Sequence, residues 1–156
     1  MKFKKTSRKS CGICGISDPA MKPTSIILHH SLTQDGQTVS WSAIRRYHMQ
    51  KGWSDIGYHF GIEIVGIQYE ILVGRMLNEV GAHTVGMNNK SIGICFVGNF
   101  DLYEPPDAQL IVGRRLVRSL IEVLDIPKTQ VYGHKDFAQK SCPGKLFRVK
   151  EFVDGL

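Results

Sequence analysis

Short apolar runs along this chain repeat at two periods, and each period predicts an element. Residues 24–28 form a β-rich run that ends at His29-His30, which reads as a buried strand delivering two histidines at its C-terminal end. Gln34-Asp35-Gly36-Gln37 is a turn. Ser40 stands before Trp41, Ile44, Tyr47 and His48 at helical spacing, and Gly52 stops that helix. Over residues 57–73, Tyr58, Phe60, Ile62 and Ile64 alternate with His59, Gly61 and Glu63; Val65-Gly66 interrupts and the run returns, as a hairpin does. Residues 81–90 are loop-like, and residues 91–97 are so nearly all apolar that a central strand covered on both faces is expected. Pro105-Pro106 opens a long helix with Leu110, Gly113, Val117, Leu120, Ile121 and Leu124 on one face and Arg114, Arg115 and Arg118 displaced from it. Pro127 follows the end of that helix. Val131-Tyr132 is a short strand leading to Gly133-His134, and a last short helix is expected to carry Phe147, Phe152 and Val153. The order βαβββαβα gives an α/β class, with a single mixed central β-sheet flanked by helices.

The chain's 156 residues suit one domain with a real core, and 42% apolar with 22% charged content is ordinary for a globular protein. Residues 1–23 are basic, contain Gly and Ser, and show no periodicity; they read as a mobile or loosely docked arm ahead of a domain over 24–156. The basic start, Met1 to Lys9, is followed by no apolar segment long enough for a secretion signal, so no export signal is visible. No apolar run is long enough to span a membrane. The net charge of +6 favours anionic partners without choosing among nucleic acid, membrane and wall polymer, and no clear nucleic-acid site is seen. The four cysteines are expected mostly as reduced thiols, because a chain of this length does not need disulfide staples. Cys11 and Cys14 form a single Cys-x-x-Cys, which cannot close a tetrahedral metal site alone; its purpose is open.

Three residues of zinc-binding type fall at strand ends or in the loops beyond them: His29, His134 and Cys142. Two imidazoles and a thiolate suit zinc by softness, and three protein ligands leave a fourth tetrahedral position open, as catalytic sites do. Taken singly, each also reads as a structural histidine or a buried thiol.

Four local words carry more. They are Ile26-Ile27-Leu28-His29-His30-Ser31, Trp53-Ser54-Asp55-Ile56-Gly57-Tyr58-His59-Phe60, the stretch from Ser91-Ile92-Gly93 to Gly98-Asn99-Phe100, and Gly133-His134-Lys135-Asp136 followed by Lys140-Ser141-Cys142-Pro143-Gly144. Their order and spacing resemble the zinc-dependent N-acetylmuramoyl-L-alanine amidase family. That family includes amidase-type phage lysozymes and peptidoglycan-recognition proteins, and the likeness is greatest to the small amidase lysozymes of T-odd phages. The resemblance runs from about Ile26 to Phe147.

It implies His29, His134 and Cys142 as ligands of one zinc, Tyr58 and Lys140 as catalytic residues, and His83 as a residue of the substrate groove. Apart from the resemblance, Tyr58 reads as an inward strand aromatic and Lys140 as a solvated loop cation. The implied reaction is hydrolysis of the amide between N-acetylmuramic acid and L-alanine in bacterial peptidoglycan, by a phage or prophage endolysin held in the cytoplasm until lysis. Zinc would lower the pKa of water toward ~7, Lys140 would stabilise the oxyanion, and Tyr58 would position the water or donate to substrate. Glu63, near Tyr58 in sequence, is expected to face away from it by strand alternation. Cys142 stands where the cytoplasmic wall-recycling branch has an aspartate, which sets that branch second. A non-catalytic peptidoglycan-binding module and a regulator of a phage RNA polymerase are the alternatives from other classes, the latter because phage relatives include a polymerase inhibitor.

Overall fold

The computed structural model describes residues 20–33 and 41–156. Cys11, Cys14, the turn at 34–37 and Ser40 lie outside the described residues. The elements follow the expected order: β1 (Ser25–His30), α1 (Trp41–Gln50), β2 (Phe60–Val65), β3 (Gln68–Val73), β4 (Ser91–Phe96), α2 (Asp107–Val123), β5 (Val131–Gly133) and α3 (Val149–Asp154). No helix among the described residues is long and apolar enough to cross a membrane.

The five strands form one sheet in the order β3-β2-β4-β1-β5. Only the β2–β3 hairpin is antiparallel; β2–β4, β4–β1 and β1–β5 are parallel. Strands paired on both sides and covered on both faces need apolar side chains in both directions. All six residues of β1 and all six of β4 are accordingly buried. Ile26, Leu28, Ile62, Ile92, Ile94 and Phe96 point to the face covered by α2 and α3, where Val117, Leu120 and Phe152 complete the larger core. Cys95 and Val97 join Trp41 and Ile44 of α1 and Ile56 on the opposite face. The core begins before β1, since Met21 is buried in it and its N–H donates to the Asn78 carbonyl.

Two details differ from the periodic reading. Phe147 precedes α3; its ring packs edge-on against Phe96 with centroids 5.1 Å apart. On α2, Gln109 and Leu116 are buried as well, and Gln109 Nε2 donates to the carbonyls of Ile62 and Val97 at 2.9 Å each. The amide thereby ties β2 to the residue just beyond β4, and its polarity hides it from a hydrophobic pattern.

α1 is seated by one residue. The Trp41 backbone N–H donates to Glu63 Oε2 at 2.8 Å, so a buried carboxylate from β2 stands at the helix N-terminus, where negative charge is favoured. The Trp41 indole N–H donates to the Val73 carbonyl at 3.1 Å, and its ring lies flat on Gly61, where a side chain would collide with it.

Candidate active site

His29 is the penultimate residue of β1 and lies in register with Cys95 of β4. Its side chain therefore points to the α1 face, and it is 1% exposed. Its Nδ1 is 3.6 Å from Cys142 Sγ, and its Nε2 is 3.1 Å from His83 Nδ1. His134 follows directly on β5, the neighbour of β1, and its ring centroid is 4.7 Å from that of His29. Cys142 is brought back to the same point by a short loop. The Lys135 N–H donates to the Cys142 carbonyl at 2.7 Å, and Asp101 accepts from the Ser141 hydroxyl at 2.7 Å and the Lys145 N–H at 2.9 Å. The ligand atoms of His29, His134 and Cys142 all lie within 4.8 Å of one another.

The donor set fits a tetrahedral divalent metal. With metal–nitrogen and metal–sulfur bonds of ~2.0–2.3 Å, a tetrahedral N–S edge is roughly 3.5 Å, close to the observed 3.6 Å between His29 Nδ1 and Cys142 Sγ. Burial holds His29 well below the usual histidine range, with His83 and His134 adding to the effect. Burial, helped by the Lys140 charge, also lowers His134. Both imidazoles are thus neutral donors at neutral pH. Burial pushes the Cys142 thiol up to about 11. The His30 backbone and the Lys140 charge offset that rise only in part, and Asp101 opposes them; a bound dication would stabilise the thiolate.

The remaining expected residues surround this triad. The Tyr58 ring centroid is 5.2 Å from that of His29. Burial raises Tyr58 well above the usual phenol range, and Cys95 and Cys142 add to this, so it stays a protonated donor. Its hydroxyl lies beside the Cys95 thiol. Tyr58 and Glu63 share the α1 face: Tyr58 stacks on Trp41 at 6.3 Å, and Glu63 binds the Trp41 N–H. Tyr58 escapes strand alternation because it precedes β2, its carbonyl accepting instead from the Arg75 N–H. Lys140 is exposed and lines the same groove of about 650 Å³, together with His29, Tyr58, His134 and Cys142. His83 also lines the groove, yet it is buried and bound to His29. Tyr47, His48, Lys51 and Trp53 form the far wall, with Lys51 Nζ 4.4 Å above the Tyr47 ring.

Several contributors were not visible in the sequence words. Cys95 reads as one apolar residue in an apolar strand, but it meets the Tyr58 hydroxyl. Arg75 donates to the carbonyls of Ile56 and Val80, tying the approach to Tyr58 to the loop that bears His83. An arginine after a strand carries no local signal of that role.

The profile of the N-acetylmuramoyl-L-alanine amidase family matches residues 19–145. The endolysin of Klebsiella phage KP32 is 35% identical over 123 residues, covering 77% of this chain and 80% of that protein. The solved structure of the N-acetylmuramoyl-L-alanine amidase LysC from Clostridium intestinale superposes with a TM-score of 0.76 at 34% identity, covering 86% of this chain and 85% of that one. Drosophila PGRP-LB superposes with a TM-score of 0.70 at 30% identity, covering 83% and 81%. No support for a polymerase partner comes from these relatives. With the family profile spanning the sheet and the groove, and with relatives alike over most of their length, this chain belongs to the N-acetylmuramoyl-L-alanine amidase family of hydrolases.

Proposed function

We propose that this protein hydrolyses the amide between N-acetylmuramic acid and L-alanine in bacterial peptidoglycan, depends on one zinc ion held by His29, His134 and Cys142, and acts as a phage or prophage endolysin on the cell wall at lysis. The observation that carries this reading is the His/His/Cys donor set within 4.8 Å, opening on a groove lined by Tyr58 and Lys140. Bound there, zinc supplies Lewis acidity and activates water for attack near neutral pH.

The chain's own residues supply the rest. Tyr58, kept protonated, donates a hydrogen bond to a group of the substrate or orients the attacking water. Lys140 brings a positive charge to the rim, beside the carbonyl oxygen as it gains negative charge. The groove holds the substrate against these groups, so the amide arrives oriented rather than by random encounter.

A binding-only module is the second reading, because recognition proteins stand among the relatives. The intact donor set and the Tyr58–Lys140 pair favour the enzyme.

One experiment addresses metal, reaction and bond together. Purified protein is analysed for zinc, and digested peptidoglycan is examined by mass spectrometry. The expected result is one zinc per chain, new L-alanine amino groups and no new reducing sugar ends. Chelation should abolish activity, zinc should restore it, and Cys142→Ser should lower zinc affinity. Full activity in metal-free protein would refute zinc dependence. New reducing ends without free amines would mean a glycosidase.

A further inference from the structure

An imidazole that binds a metal through one nitrogen must carry its proton on the other, and whatever accepts that proton decides which nitrogen is free. In this structure the decision can be followed outward from His29 to the backbone. His83 Nε2 lies 3.3 Å from the Ser91 carbonyl oxygen. A carbonyl only accepts, so His83 carries its proton on Nε2 and presents Nδ1 as a lone pair. That lone pair lies 3.1 Å from His29 Nε2, which must therefore be the protonated nitrogen of His29. The Thr84 hydroxyl stands between the two rings, 3.1 Å from His83 Nδ1, to which it can donate, and 3.4 Å from His29 Nε2, from which it can accept. His29 Nδ1 is left bare, and it is the atom that faces Cys142 Sγ at 3.6 Å.

The fold fixes this arrangement in place. The His83 ring lies on Gly93 of β4, where an added Cβ would sit 2.6 Å from the ring, so the strand keeps a bare backbone beneath it. The His83 and Thr84 backbone N–H groups both donate to Asn88 Oδ1, at 2.8 and 2.7 Å, which locks the loop.

We infer that His83, supported by Thr84 and the Ser91 carbonyl, is a positioning residue that sets the tautomer and ring orientation of His29 for metal binding, rather than a residue whose main task is to contact substrate. The inference rests on the zinc reading above.

The test uses the full chain and His83→Phe, which keeps a ring over Gly93 but has no acceptor, with His83→Asn, whose Oδ1 restores one. Zinc affinity is measured by competition with a chromophoric chelator, and the His29 tautomer by ¹⁵N NMR of the metal-free protein. Wild type should show His29 protonated at Nε2. His83→Phe should lose that single tautomer and bind zinc ~10–100-fold more weakly, and His83→Asn should regain most of the affinity. Folded His83→Phe with wild-type zinc affinity would overturn the inference. So would unchanged zinc affinity combined with lost binding of a soluble muropeptide, which would make His83 a substrate residue. If neither variant folds, the wild-type spectrum decides, and protonation of His29 at Nδ1 overturns the inference. Wild type that takes up no zinc, yet keeps the Nε2–H tautomer, would refute the zinc reading while supporting the relay.

Discussion

Gly61→Ala tests how α1, one wall of the groove, is held to the sheet. An added Cβ at Gly61 would lie 2.4, 2.5 and 2.8 Å from Cζ3, Cε3 and Cη2 of Trp41. Carbon atoms rest at ~3.5–4.0 Å, so the indole must retreat by roughly 1 Å. Its exits are closed, because the ring is 7% exposed, its Nε1 is bound to the Val73 carbonyl and its backbone N–H to Glu63. Overpacking a seated ring costs ~1–3 kcal/mol, and breaking the indole hydrogen bond to relieve it adds about 1. The expected loss is therefore roughly 2–4 kcal/mol, read as a lower urea midpoint at unchanged slope by circular dichroism. In a Trp41→Leu background the same change should cost under about 1 kcal/mol, a strong non-additivity between touching residues. Tyr58 stacks on Trp41, whereas His29, His134 and Cys142 lie on other elements, so zinc content should hold while turnover falls. Stability within about 0.5 kcal/mol of wild type, a normal surface-substitution range, would refute the reasoning. Equal cost in both backgrounds would do the same.

Tyr58→Phe and Lys140→Ala should each keep zinc and fold while turnover drops ~10²–10³-fold. The double variant should lose less than the product, since both residues serve one transition state; near-wild-type turnover in both would remove them from the mechanism. Acid should destabilise the protein early. Burial lowers the pKa of His48 and His59, and each uses Nδ1 to accept a backbone N–H, from Gly57 and Gly93 respectively. The unfolded chain takes up these protons below its ordinary histidine pKa of ~6.5 while the folded chain resists. Their stabilisation is thus complete above pH ~6.5 and declines as pH falls toward the lowered folded values. Urea midpoints of chelated protein that stay flat from pH 7 to 5 would contradict this. A chain starting at Ala20 should fold and bind zinc like the full chain; removing Met21 as well should cost ~2–5 kcal/mol for a buried side chain. Unchanged stability without Met21 would contradict its place in the core.

What the sequence revealed, and what it hid, follows from range. The apolar run into His29, the hairpin at Val65-Gly66 and the helix between Pro106 and Pro127 are local patterns, and they stand where the periodicity puts them. The placing of β4 between β2 and β1 is a pairing between distant segments, with no local mark. The same holds within the site. His29, His134 and Cys142 were legible by type and by the words around them. Strand alternation sets Glu63 on the opposite side from Tyr58, but it holds only from Phe60, two residues after Tyr58, so the two share a face. His83 was legible as a groove residue, but its bond to His29 is made across 54 residues of chain and appears only once the loop closes over Gly93.

The triad is split between two parts of very different tenacity. His29 sits on β1, hydrogen-bonded on both edges by β4 and β5. Its amides should exchange with solvent only when the whole domain opens. His134 and Cys142 bracket a surface loop tied by the Lys135–Cys142 backbone bond and the Asp101–Ser141 contact. Such a loop opens locally at far smaller free-energy cost. The residence time of a metal would then be governed by the breathing of that loop, so a chelator should strip the ion long before the sheet gives up its slowest amides.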